Sequence, residues 1–224
     1  MGTTDRLLGS GRTADVFALD DTWVLRRYRD GTDATDEAAV MTYLYEHGYP
    51  VPPVRPAEAG APPTDLVLGR LTGPSMAEAA MRGAITPQEA AVILARLLHT
   101  LHALPARSST SPTDRILHLD LHPENVILTP EGPVVIDWAT TEEGPPGLDW
   151  AMSALILAEV AVSDRPEAAG SRAALATLLT DAAVDVRATA NDHLTEARAR
   201  RAANPTLGAD ELRWLDAAVE LVLG

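Results

Sequence analysis

The sequence predicts an α+β protein whose first part is built from short strands and whose remainder is mostly helical. Up to residue 70, short apolar runs alternate with Gly and Asp turn residues, a pattern typical of strands and hairpins. From Leu148 onward, Ala and Leu recur at helical spacing, with breaks at Arg165-Pro166 and Asn204-Pro205. This spacing predicts a helical tail of three or four segments. With 224 residues, the chain can form one domain or two modest lobes around a cleft.

The composition excludes several classes of protein. The formal net charge of -14 disfavours nucleic acid as a partner, because a phosphate backbone is bound by clustered Lys and Arg. The chain has no Cys, which rules out disulfides and thiolate metal sites. Its longest apolar stretch, around residues 154–162, contains Glu159 and is shorter than the about 20 residues that span a bilayer. The start of the chain lacks an apolar signal core. We therefore expect a cytoplasmic protein with no membrane anchor.

The first elements are predicted to be a hairpin and a helix. The apolar runs at residues 16–19 and 23–25 are separated by Asp20-Asp21, which indicates two paired strands, and Gly9-Ser10-Gly11 before them indicates a flexible turn. After Gly31 we expect a helix capped by Asp33. Its apolar face carries one carboxylate, since these residues share that face: Glu37, Val40, Met41 and Leu44.

The middle of the chain contains the strongest helix signal. Residues 49–63 are rich in Pro and can form only a connection or an edge strand, and they lead to a buried-strand candidate at residues 65–68. Thr86 and Glu89 form a capping-box pattern with Pro87 at the first helical position. This pattern predicts a helix beginning after Thr86.

A cluster of oxygen-bearing side chains flanks a predicted second hairpin. Asp120 and Asn125 lie in the text HLDLHPEN, and Asp137 ends the second of two apolar runs, at residues 126–128 and 134–136. The loop and the strand end can therefore bring these three side chains to one point. Convergent Asp and Asn oxygens suit Mg²⁺, which prefers hard ligands and keeps part of its shell for water and phosphates.

The texts HLDLHPENVIL and VVIDW resemble the catalytic loop of the aminoglycoside phosphotransferase and choline kinase family. The resemblance implies a protein-kinase-like bilobal fold. A small β-rich N-lobe, residues 1–70, would cover the nucleotide with its sheet and one helix. A mostly helical C-lobe, residues 71–224, would carry the catalytic loop, the metal site and an acceptor-binding tail.

The same resemblance implies roles for the loop residues. Asp120 would accept the proton of the substrate hydroxyl, Asn125 and Asp137 would hold Mg²⁺, and His118 would brace the loop. His122 would either support the metal loop or only pack there. The sequence departs from the family pattern at Leu119, where the family usually has Gly.

The N-terminal part would supply the nucleotide cover. Gly9 and Gly11 resemble a kinase glycine-rich loop with Ala14 in place of the third Gly. Val24 and Arg26 alternate onto one strand face, where Val24 would cover the base and Arg26, in the usual place of Lys, would reach the phosphates.

Further residues complete the predicted site. Glu37 would be the ion-pair partner of Arg26, although a Glu at a helix start is also favoured by the helix dipole. Gly69, Arg70 and Leu71 would form the hinge that contacts the base. Asp149 matches a structural Asp of the family, and helix-start duty explains it equally well.

We therefore expect a phosphotransferase that moves the γ-phosphate of ATP or GTP to a hydroxyl of a small molecule, with Mg²⁺ as cofactor. Candidate acceptors are amine-bearing antibiotics of the aminoglycoside type and amine-bearing metabolites. Glu142 and Glu143 could attract such an amine, or they could belong to a solvated loop. The alternative is a nucleotide-binding pseudokinase or regulatory module, suggested by Arg26, Leu119 and the imperfect glycine loop.

Overall fold

A five-stranded antiparallel sheet forms the first part of the molecule. The structure is a computed structural model that describes residues 6–180, 186–205 and 207–224. The strands follow the order β1-β2-β3-β5-β4 in the sheet. Their bounds are β1 Arg6–Ser10, β2 Ala14–Ala18, β3 Trp23–Tyr28, β4 Val54–Arg55 and β5 Asp65–Gly69. Helix α1, Thr35–Glu46, follows β3 and turns Glu37 and its apolar face into the interior.

The remainder is mostly helical, with two small two-stranded antiparallel sheets, β6 with β9 and the hairpin β7-β8. The helices are α2 Met76–Met81, α3 Pro87–His102, α4 Pro146–Ala161, α5 Ala168–Leu178, α6 Val186–Ala203 and α7 Ala209–Leu223. The strands are β6 Arg115–Leu117, β7 Val126–Thr129, β8 Gly132–Val135 and β9 Glu142–Gly144, and a 3₁₀ turn covers Pro123–Asn125.

Helix α4 is the centre of the helical part. It packs against α5, α6 and α7, and nearly all of its residues are buried. A helix that is apolar around its whole circumference is stable only when neighbours surround it, so α4 is a fixed support. Two of its buried residues are nevertheless acidic, Asp149 and Glu159. A buried carboxylate requires a partner, and both partners lie at the site described below.

The α+β class and most of the predicted elements are confirmed. The hairpin β2-β3, the hairpin β7-β8 and the edge position of β4 in the Pro-rich segment are as expected. Helix α3 has the complete capping box of Thr86 and Glu89. Within the described residues, the predicted tail of three or four helical segments contains four helices.

Two local predictions were wrong. Gly9 and Ser10 belong to strand β1 and not to a flexible turn, because they pair with Val16 and Asp15 of β2. Asp33 is not the cap of α1: the N-cap is Ala34, and the Asp33 carboxylate accepts a hydrogen bond of 2.8 Å from the Thr35 N–H. Sequence reasoning also missed β6, β9 and the short helix α2, whose runs are too brief to show a period.

Within the described residues, no helix is both long enough and apolar enough to cross a membrane. The predicted lobe boundary at residues 70 and 71 falls in the connection between β5 and α2. The boundary itself stays a prediction.

Candidate active site

A cleft of about 1540 Å³ lies between the sheet and the helical part. Most of the predicted site residues line it, namely Gly11, Ala14, Val24, Arg26, Glu37, Gly69, Arg70, Leu71, Asp120, His122, Asn125 and Asp137. Gly9 is not among the described residues that line the cleft, although Leu8 of the same strand β1 does line it. A side chain at Gly9 would meet nothing within 4 Å, so the backbone there has no special need of Gly.

Arg26 bonds two carboxylates, Glu37 and Asp137, that lie 100 positions apart in the sequence. Its Nη1 donates to Glu37 Oε1 and its Nη2 to Asp137 Oδ1, each at 2.6 Å. Only 11% of the Arg26 side chain is exposed. Burial lowers the pKa of Arg26, but the charges of Asp137 and Glu37 outweigh burial and hold it above its ordinary value. The guanidinium is therefore a permanent cation.

Glu37 has a full set of donors in the interior. Besides Arg26, it accepts a hydrogen bond from the Tyr28 hydroxyl at 2.6 Å and from the Trp138 N–H at 3.1 Å. Burial and the Glu37 charge raise the pKa of Tyr28, so its hydroxyl remains a donor. Glu37 thus connects α1 and the sheet to the segment that carries Asp137.

Asp120 and Asn125 are joined across the loop between β6 and β7. The Asn125 Nδ2 donates to the Asp120 carbonyl oxygen at 2.9 Å and to its Oδ2 at 3.1 Å. The other carboxylate oxygen, Oδ1, lies 3.7 Å from Arg201 Nη1. Burial raises the pKa of Asp120, but contact with His122 and nearby positive charge, including that of Arg201, outweigh burial and lower it. Asp120 is therefore an ionised acceptor in the cleft.

The loop that carries Asp120 is held by hydrogen bonds to one fully buried carboxylate of α4, that of Asp149. Asp149 accepts hydrogen bonds from the N–H groups of His118 at 3.0 Å and Leu119 at 2.7 Å. Its Oδ2 also lies 3.0 Å from His102 Nε2. Burial raises the pKa of Asp149, but the contact with His102 and the other donors outweigh burial and lower it. The backbone before Asp120 is thus fixed to the core helix.

His118 braces the loop as expected. Its Nε2 lies 3.0 Å from the Ile136 carbonyl oxygen, and its Nδ1 accepts from the Asp120 N–H at 3.2 Å. The ring therefore connects Asp120 to the strand end that precedes Asp137. His122 contacts Asn125 of the same loop, with its Nε2 3.2 Å from Asn125 Nδ2.

The donor set fits a small hard cation. Because Asn125 uses its amide nitrogen toward Asp120, its carbonyl oxygen is turned away from that carboxylate. Asp137 uses Oδ1 toward Arg26, and its side chain is 42% exposed. Among the described residues no group of three His, Cys, Asp or Glu side chains could hold a metal. One carboxylate and one amide oxygen suit Mg²⁺, which fills its shell with water and phosphate oxygens.

The turn after β1 is held by an arginine that sequence reasoning did not single out. Arg29 Nη2 donates to the carbonyl oxygens of Gly11 and Arg12 at 2.8 and 2.7 Å. Its Nη1 donates to Ser10 Oγ at 3.0 Å. These bonds fix the carbonyls of the turn on the sheet side.

The hinge segment is also fixed. The Gly69 N–H donates to Pro53 O and the Arg70 N–H to Thr22 O, each at 2.8 Å. A Cβ at Gly69 would lie 2.7 Å from the Pro53 ring, so only Gly allows this approach. The Gly69 N–H is therefore used within the sheet, and a base would have to contact other hinge atoms.

The sequence matches the model of the phosphotransferase enzyme family over residues 4–115 and 81–183, well over half of the chain. The chain belongs to this family. No curated protein gives a match in a search of full sequences.

Solved structures share the fold of this phosphotransferase. A thermostable mutant of aminoglycoside phosphotransferase APH(4)-Ia matches with a TM-score of 0.68 at 12% identity, covering 99% of this chain and 94% of that one. Choline kinase from Cryptosporidium parvum Iowa II matches with 0.62 at 12%, covering 98% and 87%. Amicoumacin kinase hAmiN, in complex with AMP-PNP, Ca²⁺ and Ami, matches with 0.57 at 14%, covering 97% and 87%. At such identities the likeness shows the protein-kinase-like fold alone.

The phosphotransferase contains positioning residues that sequence reasoning missed or left open. Asp149 was noted, but only the structure joins it to the backbone before Asp120 and to His102. Arg201 and Glu159 gave no signal, because they lie 42 positions apart on two helices and pair only in the fold. Glu142 and Glu143 do not line the cleft described above. Glu142 pairs with Arg200, and Glu143 accepts from the N–H groups at residues 107–109.

The departure at Leu119 has a physical cost. Leu119 has a φ of 62°, in the left-handed region that favours Gly, and its side chain is buried. Burial of the Leu side chain offsets part of the backbone strain.

We predict that Leu119→Gly is more stable than Leu119→Ala by about 1 kcal/mol, because both lose the apolar side chain and only Gly relieves the strain. Urea denaturation measures the difference. Leu121, buried and without a positive φ, is the matched control, and there the Ala variant should be the more stable one. The same order at both positions would contradict the strain argument.

We predict that Asp149→Asn lowers the free energy of unfolding by roughly 3 kcal/mol at pH 7, because it removes the ionised acceptor of the catalytic loop. The pKa of Asp149 is lowered in the fold, so its contribution is present above the unfolded pKa of about 4 and is lost as pH falls through the folded pKa.

The gap between wild type and Asp149→Asn should therefore stay constant from about pH 7 to pH 5 and narrow only below about pH 4. Denaturation at each pH gives the gap. Asp216→Asn, on the surface and paired with Arg198, is the control and should change stability by less than about 1 kcal/mol. A gap that grows on acidification would contradict the assignment.

Proposed function

We propose that this phosphotransferase transfers the γ-phosphate of ATP or GTP to a hydroxyl group of a small molecule. The observation that carries the proposal is the convergence of Asp120, Asn125 and Asp137 on the cleft that Arg26 reaches from the sheet. Phosphoryl transfer depends chiefly on alignment of the reacting oxygens and on neutralisation of phosphate charge. Ionised Asp120, the permanent cation Arg26 and an oxygen site for Mg²⁺ supply these needs.

The nucleotide would lie under the sheet. Val24 and Leu68 would cover the base, with the hinge at Gly69 and Leu71 beside it, and the phosphates would extend past Gly11 toward Arg26. Asn125 and Asp137 would hold Mg²⁺, which when bound neutralises charge on the phosphates. Neither purine is excluded by these contacts, so ATP and GTP are both donors in the proposal.

Asp120 would act as the proton acceptor. As the acceptor oxygen bonds to the γ-phosphorus, the bond from that phosphorus to the nucleoside diphosphate breaks, and the hydroxyl proton passes to the Asp120 carboxylate. The lowered pKa of Asp120 keeps it ionised before reaction. Its role is then mainly to orient the hydroxyl, since a weak base gains little by early proton transfer.

Arg26 stands where the family usually has Lys, and this departure is an argument for the alternative, a nucleotide-binding protein without catalysis. All 18 basic side chains of the sequence are Arg, so no Lys is available for this place. Arg26 also bonds the Asp137 oxygen that faces it. Arg retains the charge and has two terminal nitrogens, of which Nη1 donates to Glu37 and Nη2 donates to Asp137. We therefore favour the enzyme. Of the two experiments below, the first tests the nucleotide and metal site, and the second distinguishes the enzyme from the alternative.

We predict that Mg²⁺ with AMP-PNP at about 100 times its Kd stabilises the wild type by about 2.7 kcal/mol. This corresponds to a melting-temperature increase of about 5–10 °C. Asp137→Ala should lose the metal-dependent part, since it removes a proposed ligand. Asp216→Ala, on the surface of α7, is the control and should keep it. A full metal-dependent shift in Asp137→Ala would contradict the metal assignment.

We predict that Asp120→Asn lowers the rate of phosphotransfer by roughly 10²–10⁴-fold while the nucleotide-induced melting shift is retained. Release of the nucleoside diphosphate, measured with each acceptor that the wild type phosphorylates, gives the rate. Nucleotide binding with no transfer to any hydroxyl compound would favour the non-catalytic alternative. An unchanged rate in Asp120→Asn would contradict its role.

A further inference from the structure

The helical wall of the cleft beyond Asp120 is where an acceptor would lie under the proposed function, on which this inference rests. We call this wall the acceptor end. It is formed by the cleft-lining residues of α4, the loop after α4, α5, α6, the turn after α6, and α7. Its charged members are two acidic and two basic residues: Glu159, Glu167, Arg165 and Arg201.

The buried charges of the acceptor end are already paired. Arg201 donates to Glu159 through Nε at 2.8 Å and through Nη2 at 2.7 Å, and both side chains are almost completely buried. A bidentate pair of this kind has a fixed geometry, because the planar guanidinium matches the carboxylate. The pair therefore presents the third nitrogen of Arg201 at a defined place in the cleft.

That third nitrogen faces the reacting position. Arg201 Nη1 lies 3.7 Å from Asp120 Oδ1, and Oδ1 is the oxygen of Asp120 that does not bond Asn125. A hydroxyl that donates to Oδ1 therefore brings the groups on its neighbouring carbon atoms within a few ångströms of a cation. Both oxygens of Glu159 already bond this cation, so Glu159 is not available to hold an ammonium group of an acceptor.

The charge balance of the acceptor end differs from that of the whole chain. The protein has a net charge of -14, yet the described residues of this wall carry equal numbers of acidic and basic groups. Recognition of a polycation requires several carboxylates without a partner, and Glu159 has one. The remainder of the wall is largely apolar and includes the half-buried ring of Trp214.

We propose that the acceptor is a hydroxyl compound with an uncharged or anionic group beside the reacting hydroxyl and a partly apolar body, and that Arg201, fixed by Glu159, excludes polycationic aminoglycosides. Arg201 is then a specificity-determining residue of the acceptor end. Its apolar neighbours, such as Ile156, Val160 and Trp214, would contact the body of the acceptor.

The test is calorimetric binding of gentamicin, a polycationic aminoglycoside, to the full chain with and without Mg²⁺ and AMP-PNP. We expect a Kd above about 1 mM for the wild type. Arg201→Gln leaves the Glu159 carboxylate without its cation, so gentamicin should bind at least about tenfold more tightly. Arg198→Gln, on the same helix and paired with Asp216 at the surface, is the matched control and should behave as the wild type.

Glu159→Gln makes the opposite change, because it leaves Arg201 as a cation without its carboxylate. It should not tighten gentamicin, and it should tighten D-glycerate, an anionic hydroxyl compound, by at least about tenfold. This variant keeps the test decisive if Arg201→Gln does not fold, which circular dichroism and thermal melting show directly.

Micromolar binding of gentamicin to the wild type would overturn the proposal, and so would a failure of Arg201→Gln, if folded, to tighten it. The melting shift produced by Mg²⁺ and AMP-PNP, without any acceptor, distinguishes a failure of the proposed function from a failure of this inference. If Mg²⁺ and AMP-PNP produce no melting shift, the donor site is wrong, whereas gentamicin binding to the nucleotide-free protein still reports on the acceptor end.

Discussion

The contacts of Arg26 with Glu37 and Asp137 determine how the two halves of the molecule meet. One guanidinium joins the sheet, α1 and the segment after β8, and all three charged groups lie at the cleft. A buried ion pair by itself adds little stability, because desolvation offsets its attraction. Removal of one partner is costly, since it leaves a charge without compensation. The arrangement therefore specifies one closed geometry, and the positions of Val24 above the cleft and Asp137 below it depend on that geometry.

The core helix α4 imposes a similar constraint on the position of Asp120. Asp149 near its beginning fixes the backbone before Asp120, and Glu159 near its end fixes Arg201 beside Asp120. Both carboxylates are buried and both are fully engaged, as the interior demands. The same helix that forms the hydrophobic core thus positions Asp120 from two directions, through the chain that precedes it and through the cation that faces it.

The sequence predicted the fold and the cluster of Asp120, Asn125 and Asp137 better than it predicted the residues that hold this cluster in place. Patterns formed by residues close together in the sequence can be recognised without the fold. Examples are the capping box of Thr86 and Glu89, the hairpin β7-β8, and the helix face that carries Glu37 and Leu44. Gly9 was placed wrongly because a Gly in an edge strand and a Gly in a turn look alike without the partner strand. The pair of Arg201 and Glu159 was missed because a contact between two helices leaves no spacing in the sequence. The roles of the predicted site residues stay predictions.

The choice of arginine at position 26 has a consequence for chemical labelling. Reagents that mark nucleotide sites commonly acylate the amine of a lysine, which becomes a nucleophile when it loses its proton. The guanidinium of Arg26 has a pKa above its already high ordinary value, and the sequence contains no Lys. Amine-directed probes delivered by a nucleotide would therefore find no side chain to acylate in this cleft, and surveys of kinases based on such probes would pass over this protein even when its nucleotide site is fully occupied.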